Sequence, residues 1–191
     1  MRWGVFVVFL FVAIVLDTAF MQVFAVRGIW PAATPGLVTF VALYAARGQA
    51  LWAAVLAGFL VDCTSTSLAF FDGVWPYQMI GPSILGFVVG TQLVLPLRSM
   101  VIRKNPLSLG LVTALFGLIA MLVTTAIFSA RGWYAGTQPP WAGNSSALGH
   151  MGNEALRAIA SGAFAVLLAI PFNTSLGAFG FAGTSPWSPR R

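Results

Sequence analysis

Few side chains in this sequence are equipped for chemistry: four carboxylates (Asp17, Asp62, Asp72 and Glu154), one histidine and one cysteine among 191 residues. Two neighbouring carboxyls that share a proton can act as acid and base, so Asp17, Asp62 and Asp72 are the groups an aspartyl enzyme would need. Their surroundings argue against that chemistry. Asp17 and Asp62 lack polar helper side chains, and Asp72 stands beside Gly73 in a turn signal. His150 has no second histidine near it, and Cys63 has no thiol to pair with. No Gly-x-Ser nucleophile is paired with a membrane histidine, and no phosphate-cradling Gly-Lys-Ser loop is present. The expectation is therefore no catalytic residue, no metal ligand and no cofactor.

One carboxylate stands in a pattern. Ala50, Ala54, Gly58 and Asp62 fall four apart in an apolar run, which on a helix makes one seam of three small side chains leading up to an acid. In hydrocarbon, small residues at this spacing let a second helix approach closely, while an ionised Asp is costly unless it faces protein, water or a partner. The seam is expected to face inward, for packing or for a partner. Gln78, Pro82, Gly86 and Gly90 also fall four apart, and Gly86 with Gly90 makes a close-packing signature. Asp17, with Thr18 and Gln22, lies in the second half of the first apolar run. Two readings stand for it: an acid turned into the bundle, or an interfacial acid whose work is hydrogen bonding alone.

The elements that must position these residues follow from composition. The chain is 59% apolar and 7% charged, against roughly 25% charged in soluble domains, so a polytopic membrane protein is expected. The net charge of +6 is spread over segments between apolar runs and reads as topology information, not as a nucleic-acid surface. The first run, Trp3 to about Val26, exceeds the roughly 7–15 residues of a signal-peptide core and reads as a retained span. Further spans are expected from Leu37 to Ala46 behind Pro31 and Pro35, from Leu51 onward, from Val74 to Leu95, from Leu107 to Ser129 and from Met151 to Ile170. The third either stops at Asp62 or continues through the Ser/Thr-rich stretch to Phe71; periodicity does not choose between them. Arg131 to His150 reads as a long external loop, and Glu154 and Arg157 can pair three apart on one helix face. The resulting expectation is an all-α bundle of about six transmembrane helices over residues 1–172, with residues 173–191 a disordered cytoplasmic tail. Arg2, Arg47, Arg98, Arg103, Lys104, Arg190 and Arg191 fall on one side, against Arg27, Arg131 and Arg157 on the other, which places both termini in the cytoplasm.

The stretch from Pro35 to Gly90 resembles the MreD family of rod shape-determining membrane proteins. The residues that carry the likeness are the short Pro-led span into Tyr44-Ala45-Ala46-Arg47-Gly48, then Gly58-Phe59-Leu60-Val61-Asp62, a Gly-containing turn, and a Gly-rich span ending near Gly90. The family's motif is Gly-Leu/Phe-x-x-Asp closing the third helix. The stretch after Asp62 is richer in Ser and Thr, and the interval from Arg131 to His150 longer, than that family's pattern. The resemblance implies a noncatalytic scaffold of the cell-wall elongation machinery in the bacterial inner membrane. Its implied partners are an MreC-like protein, with the actin-like MreB, the RodA glycosyltransferase and its transpeptidase partner beyond it. The same family is similar in fold to the substrate-binding (S) components of energy-coupling-factor vitamin transporters, so a transport component is the alternative; Asp62, Gln78 and the tryptophans would then line a pocket.

Overall fold

The structure, a computed structural model, describes residues 1–26, 28–64, 69–71, 75–77, 79–102, 105–131, 137–138 and 147–181. Helix α1 (Trp3–Val15) passes without a break into a π-helical turn (Leu16–Phe20) and a 3-10 turn (Met21–Phe24). The remaining helices are α2 (Thr34–Tyr44), α3 (Arg47–Thr64), α4 (Pro82–Leu97), α5 (Pro106–Arg131), α6 (Ala147–Thr174) and the short α7 (Leu176–Phe179). Proline stands in the first turn of α2 and α4 and opens α5, where its missing N–H removes no helical bond.

Three segments are long and apolar enough to cross a membrane: Trp3–Phe24, Pro106–Arg131 and Leu148–Thr174, of 22, 26 and 27 residues. Helices α2 and α4 are apolar but short, 11 and 16 residues. At about 1.5 Å per residue they reach roughly 16 and 24 Å, less than the roughly 30 Å of hydrocarbon.

Successive helices run in opposite directions. Gly58 of α3 lies against Ser83 and Ile84 of α4, while Arg47 at the other end of α3 bonds Gln92. Gly86 and Gly90 of α4 face Ala120 and Phe116 of α5, and Gly110 and Gly117 of α5 face Gly162 and Ala158 of α6. Helix α2 runs parallel to α6, with Gly36 against Ala165 and Phe40 stacked on Phe172. Nearly all of α2 is buried, so this short helix is the bundle's centre.

Several sequence expectations need correction. Helix α3 ends at Thr64, and Ala69–Phe71 is a strand, β1, so the helix does not continue to Phe71. The fourth helix begins at Pro82 and not at Val74, because Trp75–Tyr77 forms a second strand, β2, antiparallel to β1. Thr137–Gln138, inside the expected loop, is a third strand, β3, on the other edge of β1. The described chain is otherwise helical, as the all-α expectation has it, and the small three-stranded sheet is an addition to that bundle. His150 belongs to α6 and not to a loop.

The expected tail is also partly structured. Helix α6 passes through Pro171 to Thr174, α7 follows, and Gly180 in the left-handed region (φ +79°) turns the chain so that Phe181 folds back. Phe179 and Phe181 are buried among Phe9, Phe40, Tyr44 and Phe172, with ring centroids 4.9 Å apart for Phe9 and Phe179 and 5.6 Å for Phe40 and Phe179. The amide of Arg2 donates to the carbonyl of Phe179 at 2.9 Å. The domain therefore extends past residue 172 to Phe181; residues 182–191 lie outside the described ones. Truncating a buried Phe removes many dispersion contacts and leaves a cavity. Phe179→Ala is expected to lower the stability of the solubilised protein by about 3 kcal/mol in thermal unfolding. Leu167→Ala, on the outward face of α6, should change it by less than about 1 kcal/mol.

Candidate functional site

A helix that starts away from water leaves its first amide donors without partners, and an unpaired donor in apolar surroundings is costly. Asp62 answers that need for α4. Its Oδ2 accepts from the Gly81 amide at 2.7 Å and its Oδ1 from the Ser83 amide at 3.1 Å. Pro82, between them, has no N–H, so one carboxylate takes both amide donors of the stretch from Gly81 to Ser83 and stands at the positive end of the helix dipole. Gly81 makes this possible: its φ of +133° is open to glycine and strained for other residues, while the space around it is empty. Asp62 itself is buried.

Gly58, one turn before Asp62, brings the two helices close enough for the bond. A Cβ built there would lie 2.6 Å from the Ile84 Cα and 2.8 Å from the Ser83 carbonyl oxygen, both backbone atoms that cannot step aside. Ala50 and Ala54 continue the same buried face. Gly86 and Gly90 serve the opposite side of α4: a Cβ would meet the Ala120 carbonyl oxygen at 2.9 Å and the Phe116 ring at 2.8 Å. The structure thus brings Gly58 and Asp62 to the α3–α4 contact and Gly86 and Gly90 to the α4–α5 contact, with Ala50 and Ala54 buried on the same helix as Gly58. Both seams are filled by the chain's own helices. Gln78 lies outside the described residues.

Asp17 does for α2 what Asp62 does for α4. It accepts from the amides of Ala33 and Thr34, the latter at 3.0 Å. The π-helical turn that holds Asp17 widens the first helix at this point. Ser161 of α6 completes the start of α2: its Oγ accepts from the Ala32 amide at 2.9 Å and donates to the Arg157 carbonyl at 2.8 Å. The Arg157 guanidinium sits 4.5 Å from the centroid of the Trp30 ring and 3.7 Å from Glu154, so the expected Glu154–Arg157 pair forms beside the same entry. Asp17 therefore faces the bundle. Sequence reasoning missed its partners because they are backbone amides, which no residue type announces; the signal available was proline just inside each helix start.

Among the described residues, no three metal-ligating side chains come together. Buried Asp62 and half-buried Asp17 each accept backbone amides at the start of a different helix, an arrangement that positions the backbone there. On the outer surface of α5 and α6 lies an open apolar groove of about 500 Å³, with Gly110, Ala114 and Gly162 in its floor and Leu107, Leu111 and Ile159 along its sides.

Comparison of the chain with protein-family models, with curated proteins and with solved structures gives no match.

The geometry ranks substitutions at the α3–α4 contact. Overpacking typically costs about 1–3 kcal/mol, so Gly58→Ala should destabilise by that amount and Gly58→Leu by more. Asp62→Asn keeps one acceptor for two donors and should be milder than Gly58→Leu. Gly48→Ala, in the same helix with open space around it, should be neutral or slightly stabilising in thermal unfolding. Loss of function in a normally folded Asp62→Asn, together with a tolerated Gly58→Leu, would mean that the carboxylate itself does chemistry.

Proposed function

We propose that this chain is a noncatalytic, six-span scaffold of the bacterial cell-wall elongation machinery that holds an MreC-like partner and, through it, MreB, RodA and the transpeptidase. The observation that carries the reading is the open groove on α5 and α6: it is apolar, floored by small residues and turned outward, a shape that suits a partner helix in hydrocarbon. The resemblance centred on Gly58 and Asp62 supplies the partner class. A scaffold needs a rigid body with a free face, and the internal glycine seams support that division, since they are occupied within the chain.

Placement in the inner membrane with both termini cytoplasmic is part of the proposal. Its support is the separation of polar contacts between the two ends of the bundle. Arg47 and Arg98 bond near the end where Met1 meets Gln49. Asp17 and Asp62, with Arg157 beside Trp30, lie at the opposite end. The basic end would face the cytoplasm. Helices α2 and α4, crossing incompletely, would then begin below the outer interface.

The alternative, a substrate-binding component of a vitamin-type transporter, has one observation in its favour. Short helices starting inside the apolar layer are the device by which many transporters face a bound solute. Here both helix starts already hold a carboxylate, which supports the scaffold.

The test is to solubilise the protein from its own cells, identify what copurifies, and follow cell width on depletion. The scaffold reading expects the MreC-like and RodA-like proteins in the eluate and altered width. It also expects Leu111→Trp, which fills the groove from an exposed position, to lower MreC-like retention severalfold without changing the unfolding temperature. A retained vitamin-like ligand, no elongation proteins and unchanged shape would replace it with the transport reading.

A further inference from the structure

Asp17 and Asp62 stand 45 positions apart, and the residues that follow them recur at the same interval. Gly28-Ile29-Trp30-Pro31 comes after Asp17 as Gly73-Val74-Trp75-Pro76 comes after Asp62, the glycine eleven residues behind the acid each time. With two residues added, Pro35 in α2 matches Pro82 in α4, and Phe40-Val41 matches Phe87-Val88. The chain holds only 7 Trp and 11 Pro, so a Trp-Pro pair in phase with a membrane carboxylate is not a product of apolar composition.

The geometry agrees independently. Each carboxylate accepts two backbone amides at the start of the next helix, Ala33 and Thr34 in one case, Gly81 and Ser83 in the other. Each connection doubles back on itself: Val26 bridges Ile29 antiparallel around Gly28, and Phe71, the position equivalent to Val26, pairs antiparallel with Trp75. The two long helices start side by side, where the Met1 amino group donates to the Gln49 side chain, and run the same way to their carboxylates.

We infer that residues 3–90 are two tandem copies of one unit: a helix that carries a carboxylate in its second half, a hairpin, and a shorter Pro-led helix that the carboxylate closes. Asp17 is thereby the counterpart of Asp62, a positioning residue for α2. A unit of two antiparallel helices repeats in the same orientation, so the copies are related by rotation about an axis along the bundle. The first copy has gained a support the helix-start bonds of the second do not include, Ser161 on the Ala32 amide, in keeping with the central place of α2. None of this depends on the scaffold reading.

Amide hydrogen exchange of the full chain in lipid nanodiscs tests the equivalence, with Asp17→Ala and Asp62→Ala as variants and the Asn versions carrying the comparison if either Ala version does not fold. Loss of a side-chain cap should speed exchange about tenfold in the first turn it serves. Asp17→Ala should do so at residues 33–37 and leave 81–85 unchanged; Asp62→Ala should do the reverse, with the two accelerations within about threefold of each other. The Asn variants should give the same pattern at smaller size. Unchanged exchange at 33–37 in the Asp17 variants, or a rise spread over the whole bundle, would overturn the inference. Failure to copurify a partner would leave this result untouched, so the two readings fail separately.

Discussion

An amide N–H that begins a helix inside an apolar layer must find an acceptor there, because water is absent. In this protein the acceptors are side chains of other helices, and much of the architecture follows from bringing them within reach. Helix α2 is roughly half as long as the layer is thick. Its start is closed by Asp17 and Ser161, and the start of α4 by Asp62. Each acid is held in turn by the charge distribution of the helix it closes. A helix that could not stand alone is thereby fixed at the centre of the bundle.

The close approaches serve the same end. Asp62 can bond two amides of α4 only because Gly58 lets the backbones meet. On the other side of α4, Gly86 and Gly90 accept the bulk of Phe116 and the Ala120 backbone, which locks α4 between α3 and α5. In hydrocarbon there is little hydrophobic gain from joining two apolar helices, so such van der Waals fit supplies the association. With its small residues turned inward at these contacts, the bundle leaves large ones such as Val8, Phe11 and Leu111 outward. At the groove on α5 and α6, exposed Leu107, Leu111 and Ile159 stand above Gly110 and Gly162, which are buried against each other.

What the sequence made legible were features that depend on residue type at short range. The apolar composition, the inward turn of the Ala50–Asp62 seam and the pairing of Glu154 with Arg157 all follow from spacing on one helix. Long-range pairings were not legible. Residues 74–81 read as the start of a span because they are aromatic and apolar, yet Trp75–Tyr77 is drawn into a strand by Ala69–Phe71. Phe179 and Phe181 stand in a Gly- and Ser-rich stretch that reads as tail, and only the aromatic pocket formed by Phe9, Phe40 and Phe172 gives them a place. The work of Asp17 was hidden because its partners are backbone, although the repeated Gly-x-Trp-Pro was present to be read.

The central claim is that two carboxylates close two helix starts, and nuclear magnetic resonance can observe those bonds directly. In isotopically labelled protein in nanodiscs, scalar coupling across hydrogen bonds should link the Gly81 and Ser83 amide nitrogens to the Asp62 carboxyl carbon. The Ala33 and Thr34 amides should couple likewise to Asp17. Amides that show no such coupling and exchange magnetisation with water instead would contradict the account.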